Sequence, residues 1–88
     1  MKSIWKFPLQ VMDSQEIEMP SHAQVLTVQV QGEQPCLWAI VTPYAPKVTR
    51  TVRIYGTGHP APDDLSRADY VGTFQLMGGG LIFHVFIY

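Results

Sequence analysis

Between Arg53 and Pro60 the chain sets a guanidinium, a phenol, a hydroxyl and an imidazole around two glycines: Arg53-Ile54-Tyr55-Gly56-Thr57-Gly58-His59-Pro60. Arg53 and Tyr55, two residues apart in an alternating segment, share one face of a strand. A guanidinium meets anionic groups through a fork of N–H donors, a phenol ring stacks on planar groups, and glycine-rich backbone offers amides to an anion. Gly56-Thr57-Gly58 looks like a nucleotide-binding glycine loop only superficially. The dinucleotide fingerprint needs a third glycine and a helix N-terminus, whereas Pro60 and Pro62 come next here. The bland reading is a strand that ends in a glycine-shaped loop. The functional reading is an anion-binding loop beside Arg53.

Other chemistry-bearing residues are sparse. His22 comes after Pro20 in a loop and reads as solvated. His84 interrupts the apolar C-terminal strand on the face of Ile82 and Phe86, and reads as a hydrogen-bonded interior residue. No two histidines have metal spacing, so no metal is expected. Asp63 and Asp64 read as a solvated loop, and no hydroxyl or thiol has a base in a local motif, so no catalytic residue is expected. Cys36 is the one cysteine. It can build neither a disulfide nor a zinc site, and in Pro35-Cys36-Leu37-Trp38-Ala39-Ile40-Val41 it reads as a small buried hydrophobe in a reduced, cytosolic setting.

The elements that must position these groups are strands. Ser3–Leu9 is strand-like, with Pro8 restricting it to an edge or a strand end. Gln15–Met19 comes after an Asp13-Ser14 turn. Val25–Gln31 alternates strictly, which places Leu26, Val28 and Val30 on one face. Gly32–Pro35 reads as a hairpin turn, and Cys36–Thr42 as a central strand covered on both sides. Pro43–Lys47 is an irregular loop, Thr51–Tyr55 alternates again, and Asp63–Arg67 has room for one helical turn capped by Asp63 or Asp64. Tyr70–Met77 and Leu81–Tyr88 are the last strands, joined at Gly78-Gly79-Gly80. The apolar C-terminal strand is expected to be central or paired across a subunit interface. About seven short, mostly antiparallel strands over residues 1–88 make one all-β domain, a small sandwich or barrel.

Composition narrows the function classes. Apolar residues make up 47% of the 88 residues and charged ones only 15%. That balance leaves apolar surface in search of a partner, and a symmetric homo-oligomer is the expected answer. A net charge of −1 argues against a nucleic-acid binder. No apolar run approaches a membrane span, and Met1–Pro8 lacks the pattern of a signal peptide, so the protein is expected in the cytoplasm.

Taken in order, Ile4-Trp5-Lys6-Phe7-Pro8-Leu9, Ile17-Glu18-Met19-Pro20, Val28-Gln29-Val30-Gln31, Gln34-Pro35-Cys36-Leu37-Trp38-Ala39, Arg53 to Pro60, Gly72-Thr73-Phe74-Gln75 and Phe83-His84-Val85-Phe86 resemble a family of short phage-encoded proteins, a domain of unknown function. The chain departs from that pattern by a longer loop around Leu65-Ser66-Arg67-Ala68. The resemblance implies a phage origin and a place in the cytoplasm of the infected host cell. For a small protein without a catalytic motif it points to counter-defence: sequestration, without turnover, of a nucleotide-derived immune signal such as a cyclic dinucleotide or an ADP-ribose derivative. In that reading Trp38 or Tyr55 stacks a base, and Arg53 meets phosphate. Gly56, Thr57, Gly58 and His59 form the loop, while Gln75 and His84 supply hydrogen bonds. The alternatives are a protein-interaction module that inhibits a host protein and a minor virion or assembly component.

Overall fold

A computed structural model describes residues 1–88. Seven strands form in chain order: β1 Ser3–Pro8, β2 Ser14–Pro20, β3 Gln24–Gln31, β4 Gln34–Val41, β5 Lys47–Gly56, β6 Asp69–Leu76 and β7 Leu81–Ile87. They make two antiparallel sheets, a three-stranded one in the order β1-β4-β3 and a four-stranded one in the order β2-β5-β7-β6. The fold is therefore the sandwich of the two expected alternatives, and no closed barrel forms.

Period-2 alternation explains which side chains meet between the sheets. Leu37 of β4, Val28 of β3, Met19 of β2, Val52 and Ile54 of β5, Phe74 of β6, and Val85 and Ile87 of β7 form the core with Leu9. Ala39 and Val41 continue the buried row of β4. Cys36 is buried too, as its apolar neighbours imply. Burying a chain of such residues is the main favourable contribution to folding.

The two flanks of the sandwich differ. On one, β3 lies against β6, so the two sheets curl together. Each of these strands carries a register shift, between Val25 and Thr27 in β3 and between Tyr70 and Gly72 in β6. An extra residue bends a strand and increases its twist, which turns the two edges toward one another. Gly72 makes the approach possible, because a Cβ there would stand 3.3 Å from Val28 Cγ1. On the other flank β1 and β2 are the outermost strands, with no comparable approach between them.

The register shift in β3 overturns the strict alternation read from the sequence. Val25, opposite Ala39, takes the inward position together with Val28 and Val30, and Leu26 is left 43% exposed. Three other expectations change. β4 is central in its sheet, but Trp38 and Ile40 on its outer side stay half-exposed, so only one side is covered by a second layer. β5 starts at Lys47, since pairing with β2 extends through Lys47–Arg50 without any apolar alternation to announce it. The short 3-10 turn at Asp63–Arg67 has Pro62 at its cap, with no side-chain cap bond from either aspartate. β7 lies between β5 and β6, so its apolar run needs no second subunit.

Candidate functional site

The outer side of the four-stranded sheet collects most of the predicted residues. On β5, Ile54 points into the core, so Arg53 and Tyr55 face outward. Their partners on β7 are Phe86 and His84, and on the far side of β7 the partners of those two are Tyr70 and Thr73 of β6. One rung therefore runs Arg53–Phe86–Tyr70 and the next Tyr55–His84–Thr73. Phe86 packs edge-on to Tyr55 at 6.1 Å between ring centroids and against Tyr70 at 5.2 Å. These spacings are those of favourable aromatic pairs. The guanidinium of Arg53 stands over the Tyr88 ring at 5.5 Å, within cation–π range.

Two buried side-chain polar atoms lack a hydrogen-bond partner in the protein, Arg53 Nε and the Tyr88 hydroxyl, and both belong to this cluster. Sealed polar groups are normally paired, so the coincidence marks the site. The Tyr55 hydroxyl beside it is the main influence on Arg53. With weaker contributions from Tyr88 and Asp64, and against the opposing effect of desolvation, it raises the guanidinium above its already high ordinary value. Arg53 is thus a permanent cation whose Nε nothing in the protein pairs.

The loop after β5 walls the site. Thr57 N–H donates to the Ile82 carbonyl at 3.2 Å and His59 N–H donates to the Gly56 carbonyl at 3.0 Å, which folds the chain back over the end of β5. Thr57 Oγ1 and His84 Nε2 lie 2.7 Å apart and tie loop to sheet. Gly56 leaves room for the His59 ring: a Cβ there would meet Nδ1 at 2.9 Å, and the exposed ring would have to turn aside.

Two open clefts result. One, of about 450 Å³, is lined by Arg53, Tyr55 and His59 together with Asp13, Ser14, Pro60 and Pro62. The other, of about 360 Å³, lies over Phe86, Tyr70 and His84 under Thr57, Gly58, Ala61 and Leu65. Tyr55, Gly56 and His59 line both. Volumes in this range suit small-molecule ligands.

Residues 1–88 match a protein family described as Domain of unknown function (DUF7352). The chain belongs to this family. The match spans the whole sequence and brings no activity with it. No curated protein and no solved structure matches the chain.

Of the residues singled out in the sequence, this DUF7352 domain brings Arg53, Tyr55, Gly56, Thr57, Gly58, His59 and His84 together. It does not bring Trp38, which sits between Lys6 and Thr27 on the outer side of the other sheet. Gln75 shares the outer side of β6 with Thr73 but stands opposite Ile82, one same-face pair beyond His84, and lines a separate depression with Val28, Gln29 and Val30. His84 reads from the sequence as interior, and it is half-buried on the outer face with a hydrogen bond to Thr57.

Sequence reasoning missed Phe86, Tyr88 and Tyr70. The first two carried a signal, since they stand at i+2 and i+4 from His84 on the same face of the last strand. Tyr70 carried none, because the register shift beside it decides which way it points.

Proposed function

We propose that the protein binds a nucleotide-derived small molecule on the outer side of the four-stranded sheet and holds it without converting it. The observation that carries this reading is Arg53: a permanent cation that lines the cleft, set among Tyr55, Tyr88 and Phe86. A phosphate would engage the guanidinium fork by charge-assisted hydrogen bonds. A planar base would lie in the adjoining cleft over Phe86 and Tyr70. The shared wall of Tyr55, Gly56 and His59 lets one ligand with two recognition elements span both clefts. Sequestration in preference to turnover is favoured by the one hydroxyl–imidazole contact here. Thr57 and His84 are within proton-transfer distance, but no third group hydrogen-bonds His84 to orient it, and the Thr57 amide is spent on Ile82. With the phage resemblance of the sequence, the ligand class is a host immune signal, a cyclic dinucleotide or an ADP-ribose derivative, met in the cytoplasm of the infected cell.

Native mass spectrometry with a panel of those compounds tests the reading. An intact ligand retained at fixed stoichiometry, and recovered unchanged after denaturation, is the expected result. A protein that stays empty across the panel overturns it, and recovery of a cleaved product overturns the sequestration part.

A second reading, docking on a host protein, has its own observation. The outer side of the three-stranded sheet places Ile4, 61% exposed, beside Ile40 and Trp38. Capture of one defined host protein, lost on Ile4→Asp, would favour it.

A further inference from the structure

The open flank of the sandwich has the makings of an interface. Strands in spatial order β1-β4-β3 and β6-β7-β5-β2, closed where β3 meets β6, form an incomplete ring whose two free edges are β1 and β2. An edge strand exposes unpaired backbone N–H and C=O groups, and these two also expose apolar rim: Trp5 and Phe7 on β1 and Ile17 on β2 are only half-buried. Their charges differ in sign. β1 carries Lys6, and β2 carries Glu16 and Glu18, all exposed on the outer sides of their sheets.

We propose that β1 of one copy pairs antiparallel with β2 of a second copy, and β2 of the first with β1 of the second, in a closed two-fold dimer. A two-fold axis along the strands, in the open flank midway between the sheets, turns one copy so that its four-stranded sheet continues the other copy's three-stranded sheet. It does so at both seams at once, with outer sides joining outer sides. β1 and β2 are joined across a reversal of the chain, so pairing each with the opposite strand of the second copy is antiparallel. Each seam forms about five backbone hydrogen bonds, since Pro8 on the open edge of β1 has no N–H to give. Lys6 then lies opposite or diagonal to Glu16 and Glu18 of the other copy, and Trp5, Phe7 and Ile17 are covered.

Charge opposes the simpler pairings in these registers. An antiparallel β2–β2 seam centred on Ile17 sets Glu16 against Glu18, and a β1–β1 seam centred on Lys6 sets lysine against lysine. In those registers each edge repels its own copy, whereas β1 and β2 attract one another. Ser14, at the start of β2, also lines the larger cleft, but neither proposal requires the other and either can fail alone.

Sedimentation equilibrium and native mass spectrometry on three samples decide it, with far-UV circular dichroism confirming that each variant is folded. Wild type is expected to be a dimer. Lys6→Glu alone, and Glu16→Lys/Glu18→Lys alone, oppose like charges at both seams and should each weaken the dimer at least about tenfold. Mixed together, the two variants restore complementary charge at both seams and should form a heterodimer. A monomeric wild type, a higher oligomer, dimers indifferent to both variants, or a mixture that fails to combine would each overturn the proposal.

Discussion

The outer sides of the two sheets are built from the same alternation and end in different chemistry. On the three-stranded sheet, β4 presents Trp38 and Ile40 between Ile4 and Lys6 of β1 and Thr27 of β3. Lys6 donates one of its three N–H groups to Gln31 Oε1 at 2.7 Å, in an exposed bond. On the four-stranded sheet, β5 and β7 present Arg53, Tyr55, His84 and Phe86, and a loop from Thr57 to Leu65 rises over them. The difference lies in the chain just beyond each strand. β4 ends in a short connection to β5, whereas β5 ends at Gly56 and runs into a loop that the Thr57 and His59 N–H groups bond back on itself to make walls. A flat sheet face offers area, and a sheet face with a folded-back loop offers concavity. Small molecules need the second.

Substitutions can separate the two faces. The largest effect is expected where they share a foundation. Leu37→Ala, in the core between the sheets, should cost about 2–5 kcal/mol in urea denaturation and weaken both faces together. Arg53→Ala should leave the denaturation midpoint near wild type and weaken retention of a phosphate-bearing ligand on the order of 10- to 100-fold. Trp38→Ala should change that retention less than about twofold, since its face has no part in the cleft. Gly72→Ala, which would press a Cβ on Val28 at φ +156°, should destabilise by about 1 kcal/mol and loosen the closed flank. Thr57→Val removes one exposed hydrogen bond to His84 and should cost about 0.5–1 kcal/mol or less in thermal unfolding.

Much of this arrangement is legible in the residues. The seven strands, a hairpin turn between β3 and β4 (read over Gly32–Pro35 and made by Gly32 and Glu33 alone), the edge position of β1 and the loop cluster after Arg53 all come from alternation, proline, glycine and charge. The partnership between strands is not legible. Trp38 and Tyr55 look equally able to stack a base, and only the assignment of β4 and β5 to different sheets separates them. Periodicity says that a residue faces out, never which sheet it faces out from. The two register shifts are silent for a related reason. They arise where β3 and β6 curl toward each other, a tertiary demand with no local marker beyond Gly72. Lys47–Arg50 of β5 is silent because its pairing with edge strand β2 asks for no alternation.

The most direct test is equilibrium binding of the cyclic dinucleotide and ADP-ribose panel to three proteins in parallel: wild type, Arg53→Ala and Trp38→Ala. Binding by wild type and Trp38→Ala, with loss in Arg53→Ala, is the expected result. No binding by wild type, or equal affinity in all three, would contradict a ligand site on the four-stranded sheet.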